Sequence, residues 1–175
     1  TTLFRSVVKE SDSLKSTTTY TYDKLHKMKS STNALDGTTS FSYDKYGNLV
    51  KETDPLGRSN TYSYDLAGQM TSAADPLGKI TAYTYDPAGN ITEITKPGGR
   101  KTSYGYDKNY NVTSVTDPMG YVAKTVYDKD NRVTEETDAL GQKESYTYDK
   151  DSRVTSITDK RGFTIGFDYD EHGNI

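Results

Sequence analysis

The sequence predicts an all-β fold built from β-hairpin repeats of 21 residues each. Three observations support this prediction. A Tyr-Asp pair recurs every 21 residues, two kinds of turn motif alternate along the chain, and short runs rich in Thr, Tyr and aliphatic residues separate the turns. A fixed period of about 20 to 50 residues is typical of repeat architectures. We therefore expect about eight copies of one structural unit within the 175 residues.

Each repeat carries two turn motifs with the same residue grammar. An Asp that accepts backbone N–H groups and a Gly that tolerates positive φ are typical turn residues. Both occur in Asp44-Lys45-Tyr46-Gly47, which we call a YD turn, and in Asp54-Pro55-Leu56-Gly57, which we call a DP turn. The strands between turns follow the repeat, so each unit is predicted as strand, turn, strand, turn. The tyrosines that precede the YD turns are Tyr22, Tyr43, Tyr64, Tyr85, Tyr106, Tyr127, Tyr148 and Tyr169.

Some turns depart from this grammar. In residues 33–37 the Gly comes one place late, which predicts a longer or bulged turn. Gly98, which follows Pro97, favours a type II turn. Tyr110, Asn131 and Ser152 stand in the place of Gly in their YD turns and would have to adopt the left-handed conformation.

The repeat pattern also sets the expected organisation of the chain. Residues 1–19 match it poorly and are predicted to be a degenerate or frayed first repeat, whereas residues 20–175 form an array of repeats. The chain begins without Met and its last residues open another repeat, so we interpret it as a piece of a longer array.

Strand alternation places the paired tyrosines on one face. Tyr62 and Tyr64 share that face with Asn60, and the same spacing recurs in other repeats. We expect these rings to stack across hairpins as an aromatic ladder, with about 0.2–1 kcal/mol from each cross-strand pair. Aliphatic residues just after the YD turns, such as Leu49 and Met70, are predicted to pack against the tyrosines.

The number of strands predicts the shape of the array. About sixteen strands exceed what an open sheet usually holds without curling, and strand twist has a fixed hand. The sequence therefore predicts a curved, spiralling antiparallel ribbon.

Composition excludes several classes of function. The hydrophobic fraction of 31% includes 16 tyrosines, which argues against a large dry core. The formal net charge of −3 is spread along the chain and gives no basic patch for nucleic acid. The chain has no Cys, which excludes thiolate metal sites and disulfides, and no apolar run approaches membrane-spanning length.

No constellation of residues predicts catalysis, a cofactor or a metal. His26 and His172 lie near opposite ends of the chain. The segments that start at Asp128 and Asp149 begin with Asp-x-Asp, as a calcium loop does, but they lack the later ligands of that motif. We interpret these carboxylates as turn caps and predict no enzyme activity.

The motif Tyr-Asp-x-x-Gly-Asn, followed by Thr-Asp-Pro-Leu-Gly and Tyr-x-Tyr-Asp, resembles the YD repeat of the RHS family over nearly the whole chain. Members include bacterial RHS and wall-associated polymorphic toxins, cocoon components of insecticidal toxin complexes, and teneurins. The resemblance implies hairpins wound into a hollow shell, which in the toxins encloses a cytotoxic C-terminal domain. Toxin members carry Asp-Pro-x-Gly-Leu at a self-cleavage site, but here Arg58, Lys79 and Tyr121 replace that Leu, so these segments are interpreted as turns.

Two functional hypotheses follow. The first is a structural, non-enzymatic shell segment of a secreted or cell-surface bacterial protein, with its neighbouring repeats and the toxin cargo of the same polypeptide as partners. The alternative is an adhesion module that binds cell-surface glycans or proteins through exposed rings. Its candidate ligand-binding residues are Tyr62, Tyr83, Tyr104 and Tyr146. Unpaired edge strands also predict end-to-end self-association of the isolated chain.

Overall fold

A computed structural model of the chain describes residues 8–11, 13 and 16–175. These residues contain sixteen β-strands and no helix. The chain divides into two compact units, Thr1–Tyr83 and Thr84–Ile175, and the boundary falls within strand β8.

In the first unit, neighbouring strands lie in chain order and each pairs antiparallel with the next. The strands are β1 (Lys9–Ser11), β2 (Thr17–Tyr22), β3 (Met28–Thr32), β4 (Thr38–Tyr43), β5 (Leu49–Thr53), β6 (Ser59–Tyr64), β7 (Met70–Ala74) and β8 (Ile80–Tyr85).

The second unit repeats this arrangement from β9 onwards. Its strands are β9 (Ile91–Lys96), β10 (Arg100–Tyr106), β11 (Val112–Thr116), β12 (Val122–Tyr127), β13 (Val133–Thr137), β14 (Lys143–Tyr148), β15 (Val154–Thr158) and β16 (Thr164–Gly166). The predicted all-β fold of antiparallel hairpin repeats is confirmed.

The two turn types have the same backbone geometry. In the YD turn, Asp44 Oδ1 accepts the N–H groups of Tyr46 and Asn48, both at 2.9 Å. The Asp44 N–H donates to the Asn48 carbonyl at 2.9 Å, and Gly47 has a φ of 92°. Asp54 accepts the two equivalent N–H groups in the DP turn, also at 2.9 Å. A tight turn closed by a left-handed residue is a common three-residue hairpin loop, so the predicted turn grammar is confirmed.

The unusual turns fit the same frame. The prediction of a longer turn at residues 33–37 was wrong, because Asn33 Oδ1 accepts the N–H groups of Leu35 and Gly37 at 2.9 Å, as Asp does elsewhere. Asp36 then takes the left-handed position with a φ of 60°, which Asp tolerates better than most residues. Gly98 has a φ of 84°, as expected for the type II turn after Pro97.

Among the residues that the structure describes, five other than Gly adopt the left-handed conformation at the closing position of a turn. The sequence predicts this for Tyr110, Asn131 and Ser152, which have φ values of 67°, 61° and 64°. His26 and Asp36 behave in the same way, with φ values of 61° and 60°. Because the aspartate cap and the hairpin ladder hold the turn, it forms even without Gly.

Within the described part of the chain, neither sheet contains a fully buried side chain. Stability therefore has to come from the hydrogen-bonded ladder and from half-buried side chains on one layer of strands. The described residues contain no helix that is long and apolar enough to cross a membrane.

The predicted boundary after residue 19 lies partly outside the described residues. Residues 1–7, 12, 14 and 15 are not among them, whereas β1 and the start of β2 are. The assignment of residues 1–19 as a degenerate repeat stays a prediction.

Candidate functional site on the tyrosine face

One face of each sheet carries the aromatic side chains. In β6, Tyr62 lies opposite Ala73 of β7, and Tyr64 lies opposite Met70 at a β-bulge. The neighbouring residues Thr61 and Ser63 lie on the other face by strand alternation. We call the side that carries Tyr62 and Tyr64 the tyrosine face.

The second tyrosine of each Tyr-x-Tyr pair is tied to the preceding hairpin by its hydroxyl. Tyr64 donates to the carbonyl oxygen of Leu49 at 2.9 Å, and the two residues are 15 apart in sequence. The same bond recurs at the same separation, and we call the donors anchor tyrosines. They are Tyr43, Tyr64, Tyr106, Tyr127, Tyr148 and Tyr169, with distances of 2.9, 2.9, 2.8, 3.1, 2.7 and 2.8 Å.

The strand pairing explains why a hydroxyl is needed there. The ladder between β5 and β6 covers only three residue pairs, and the pair nearest the YD turns is Lys51 with Thr61. The Leu49 carbonyl lies beyond that point, at the start of β5. The Tyr64 hydroxyl reaches across and supplies a donor where the backbone ladder has ended, which satisfies a polar group that would otherwise need water.

The sequence distinguishes the anchor position from the position two residues before it. The residue before every YD turn is tyrosine, whereas the residue two places earlier is Phe in Phe41 and Phe167 and Thr in Thr125. A position that needs a hydroxyl excludes Phe, and a position that needs only an apolar ring does not. This difference within the chain separates the anchors from the other tyrosines.

In two of the anchor tyrosines, Tyr64 and Tyr106, burial raises the pKa and so favours the protonated form that the bond requires. It raises the pKa of Tyr64, with Tyr62 and Asp44 adding smaller contributions. It raises the pKa of Tyr106 in the same way, with contributions from Asp86 and Tyr104. Both hydroxyls therefore remain hydrogen-bond donors across the neutral pH range.

The candidate ligand-binding tyrosines occupy the first place of the Tyr-x-Tyr pairs, and we call them row tyrosines. Tyr62 and Tyr83 lie in the first unit, and Tyr104 and Tyr146 lie in the second. All four side chains are half-buried. Within the described part of the chain, the hydroxyls of Tyr62, Tyr83 and Tyr104 have no hydrogen-bond partner.

The expected stacking of tyrosines into a ladder was wrong. The row aromatics of three strands lie opposite residues that are not aromatic: Glu52 faces Phe41, Ala73 faces Tyr62, and Ile157 faces Tyr146. The strand that carries Ala73 separates Tyr62 from Tyr83, which puts them roughly 10 Å apart at the usual strand spacing. The rings are therefore spaced along the face, with aliphatic or acidic side chains between them.

One row tyrosine has an acidic environment. Tyr146 donates to Glu136 across a long 3.4 Å contact, and Glu136 lies directly opposite Glu144. Burial and the charges of Glu144 and Glu136 raise the pKa of Tyr146 to about 12. Thr125, which faces Glu136, occupies the row position in β12, so the series of aromatic residues is interrupted there.

The residues that resemble a calcium loop are engaged in the turns. Asp128 Oδ1 accepts the backbone N–H groups of Asp130 and Arg132, and Oδ2 accepts from the Arg132 guanidinium at 2.8 Å. The same guanidinium lies 4.6 Å from the ring centre of Tyr148 and donates to the Asp149 carbonyl at 3.0 Å. The interpretation of these carboxylates as turn caps is confirmed, and Arg132 links successive YD turns.

The two histidines lie in separate units. His26 closes the first YD turn, and His172 lies in the last YD turn, where it is exposed. The described residues contain no group of three or more His, Asp or Glu side chains that could hold a metal ion.

Solved structures of similar fold come from toxin complexes. The chain aligns with a crystal structure titled TcdB2-TccC3-Cdc42 with a TM-score of 0.70 and 19% identity, over 89% of this chain and 10% of that chain. It aligns with the Tc holotoxin pore of Photorhabdus luminescens at a TM-score of 0.67 and 18% identity, over 86% and 9% of the two chains. It aligns with TcdB2-TccC3 without its hypervariable C-terminal region at a TM-score of 0.70 and 17% identity, over 91% of this chain and 10% of that chain. The chain thus spans about a tenth of the length of these relatives, and the likeness concerns the fold.

Sequence comparison identifies the repeat itself. No curated protein gives a significant match to the chain. The family profile described as RHS Repeat matches residues 23–59, 43–80, 64–101, 85–122 and 127–164. The first four matches overlap, and together the five cover most of the chain and start at or next to the tyrosines of the YD turns. The chain belongs to the RHS repeat family.

Proposed function

We propose that this chain is a structural, non-enzymatic part of the wall of a shell, and that the shell encloses a C-terminal toxin domain of the same polypeptide. The observation that carries the proposal is the anchor bond, which ties hairpin after hairpin together with the same partners and the same 15-residue separation. A wall requires the same contact between neighbouring strands along its whole length, whereas a catalytic site requires a local group of residues that departs from the repeat.

The single-layer construction supports the same role. A sheet without a buried core has two accessible faces, as the wall of a container requires. The fold is similar to chains in structures titled as TcdB2-TccC3 and as a Tc holotoxin pore. We further propose that the parent protein is bacterial and is secreted or displayed at the cell surface, with the wall curved into a spiral.

Limited proteolysis of the full-length polypeptide that carries these repeats tests the wall. We expect the C-terminal domain to stay intact, by mass spectrometry, until the repeats are denatured. The double variant Tyr106→Phe with Tyr148→Phe should expose that domain at a lower denaturant concentration, because it removes two anchor bonds. The matched control, Tyr104→Phe with Tyr146→Phe, changes row tyrosines in the same strands and should behave like the wild type.

The opposite result would remove the proposal. If the C-terminal domain is cut freely while the repeats persist, the array is a stalk or an adhesin and not a container wall.

A second candidate function is glycan binding by the row tyrosines. The observation that favours it is the pair of unpartnered hydroxyls on Tyr62 and Tyr83 in the described first unit. A half-buried ring with a free hydroxyl can offer both an apolar surface and a hydrogen bond to a sugar. The same rings also fit the repeat pattern without any ligand, and so this function ranks second.

A glycan array distinguishes the two candidates. Saturable binding that is lost in Tyr62→Ala with Tyr83→Ala would support adhesion. The control is Tyr46→Ala, because Tyr46 is 65% exposed and lies in a turn outside the row. Absence of binding at millimolar glycan, or equal loss in the control, would contradict it.

A further inference from the structure

Each unit has one outer strand with an unpaired edge. Among the described residues, β1 of the first unit pairs only with β2, and β16 of the second unit pairs only with β15. All residues of both outer strands are exposed. An unpaired edge presents a row of N–H and C=O groups, which is a template for another strand.

The bonds between β15 and β16 show which backbone groups lie on the outer edge of β16. Directly after β16, the N–H of Phe167 donates to the Thr155 carbonyl at 2.9 Å, so the backbone of Phe167 faces inward. The hydrogen-bonding direction alternates from one residue to the next along a strand. The N–H and C=O groups of Gly166 and Asp168 therefore face outward.

The outer edge of β1 is identified in the same way. The carbonyl of Val8, which precedes β1, accepts the N–H of Tyr20 at 2.9 Å, so Val8 faces inward towards β2. By the same alternation, the N–H and C=O groups of Lys9 and Ser11 face outward. Each outer edge thus offers two residues that can both donate and accept.

The repeat determines the register in which these two edges fit each other. In β14 and β15, Ser145 lies opposite Thr158. Gly166 holds the place of Ser145 one repeat later, and Ser11 holds the place of Thr158 a whole number of repeats earlier. The edge of β16 is therefore built to receive a strand of the β1 type, with Ser11 opposite Gly166.

We propose that the edge of β16 binds the edge of β1 of a second copy of this chain, an interaction that goes beyond the proposed wall role. In the register of the repeat, Lys9 of the second copy lies opposite Asp168. Both side chains are exposed and they carry opposite charges, which favours this partner in this register. The two outward pairs can each exchange two backbone hydrogen bonds, as in any antiparallel ladder.

The side chains on the other face match a pair that the chain already contains. Between the two outward pairs, Glu10 of the second copy lies opposite Phe167. In the first unit, Glu52 lies opposite Phe41 in the same register. The contact between copies therefore reproduces a cross-strand pair of the array.

This contact joins two different edges, so it is heterologous. Binding through β16 of one copy leaves β1 of that copy and β16 of the second copy unpaired. Heterologous contacts can therefore be repeated from copy to copy. We expect sedimentation of the 175-residue chain to show species larger than a dimer as the concentration rises.

Cysteine cross-linking between two variants tests the register, because the chain has no cysteine of its own. An equimolar mixture of Ser11→Cys and Gly166→Cys chains should form a mixed disulfide under mild oxidation, since opposite residues lie about 5.5 Å apart at their Cα atoms. A Cβ added at Gly166 meets nothing nearer than the Thr155 carbonyl, at 3.9 Å. Either variant alone should cross-link at least about tenfold more slowly.

The matched control replaces Gly166→Cys with Thr164→Cys. Thr164 is exposed and lies two residues away on the same strand and face. That displacement of about 6.7 Å along the strand puts it beyond the reach of a disulfide with Ser11→Cys. The control mixture should also cross-link at least about tenfold more slowly.

Charge reversal tests the proposed ion pair. Asp168→Lys should raise the dissociation constant at least about threefold in sedimentation, because it places two lysines opposite each other. Adding Lys9→Asp to the same chain should restore binding, since the charges are then exchanged. Glu171→Lys is the control, because it makes the same change of net charge in the last YD turn, outside the proposed ladder. Circular dichroism checks that each variant is folded.

Three results would overturn the proposal. The first is cross-linking of the Thr164→Cys mixture, or of either variant alone, as fast as the Ser11→Cys and Gly166→Cys mixture. The second is a wild-type chain that stays monomeric up to millimolar concentration. The third is association that Asp168→Lys leaves unchanged, or that Lys9→Asp does not restore.

Discussion

Tyr62 and Tyr64 lie two residues apart on the same strand and the same face, yet they differ in what their hydroxyls do. Tyr64 donates to the Leu49 carbonyl at 2.9 Å, whereas the Tyr62 hydroxyl has no partner in the described structure. The same contrast recurs in β10, between Tyr106 and Tyr104. The repeat therefore contains one tyrosine whose hydroxyl extends the hydrogen bonding between strands and one whose ring lies on the face of the sheet without such a bond.

This difference teaches where information lies in a repeat protein. An anchor has a geometric requirement, because its oxygen must reach a carbonyl beyond the end of the ladder. A row residue has only a requirement for apolar surface, which Phe41 meets as well as Tyr62 does. Function beyond the proposed wall is therefore to be sought on the row tyrosines and at the tips of the turns, where the fold places no such requirement on the side chains.

The largest expected effect comes from removing anchor hydroxyls. Tyr106→Phe with Tyr148→Phe should lower the free energy of unfolding by about 2 kcal/mol, at about 1 kcal/mol for each hydrogen bond. The two bonds belong to different hairpins and should contribute additively. Urea unfolding followed by circular dichroism measures the change.

The matched double variant changes the row in the same strands. Tyr104→Phe with Tyr146→Phe should change the free energy of unfolding by less than about 0.5 kcal/mol, as surface substitutions usually do. Only the long 3.4 Å contact between Tyr146 and Glu136 is lost. If the two double variants are equally destabilised, the division into anchors and row tyrosines is wrong.

Sequence reasoning reached the parts of this molecule that depend on local chemistry. The period, the strands, the two turn types and the left-handed Tyr110, Asn131 and Ser152 all follow from residue type and spacing. The prediction for the turn at residues 33–37 was wrong because it relied on the position of Gly. The Asn33 cap sets the register of this loop.

Contacts between strands were harder to predict. The anchor bond joins residues 15 apart and depends on where a ladder stops, which strand propensity does not indicate. The prediction of an aromatic ladder was wrong for the same reason. Strand alternation indicates the face on which a side chain lies, but it does not identify the residue opposite it on the next strand. In both cases the missing information was the register between strands.

Tyr110 provides a smaller test, because it is a tyrosine that neither anchors nor covers the sheet. It closes a YD turn with a φ of 67°, where most L-residues are strained. Tyr110→Gly should stabilise the fold by about 0.5–1 kcal/mol, since relief of strain exceeds the extra chain entropy of Gly. Gly89→Ala is the matched reverse change, at a φ of 95°, and should destabilise. Stabilisation by both or by neither would show that the closing position is not strained.

The smallest expected effect concerns Tyr146, a row tyrosine whose pKa is raised. Burial and the charges of Glu144 and Glu136 raise the pKa of Tyr146 to about 12 from its ordinary value of 10.0. A raised pKa means that the folded state favours the protonated phenol. The resulting contribution to stability is complete below pH 10 and is lost as the pH rises towards 12. Tyr146→Phe should therefore lose less stability than the wild type over this range.

Ring-labelled tyrosine NMR measures the titration directly, with the Tyr146 resonance assigned by its absence in Tyr146→Phe. Glu144→Gln removes the larger of the two charge contributions and should shift the titration towards lower pH, leaving the parts caused by burial and by Glu136. Lys143→Gln is the control, because Lys143 precedes Glu144 on the same strand and pairs with Glu135 at 2.8 Å on the other face. A Tyr146 pKa that does not respond to Glu144→Gln would mean that the acidic pair does not act on this ring, and Tyr146 would then be equivalent to Tyr62 and Tyr104 as a surface for ligands.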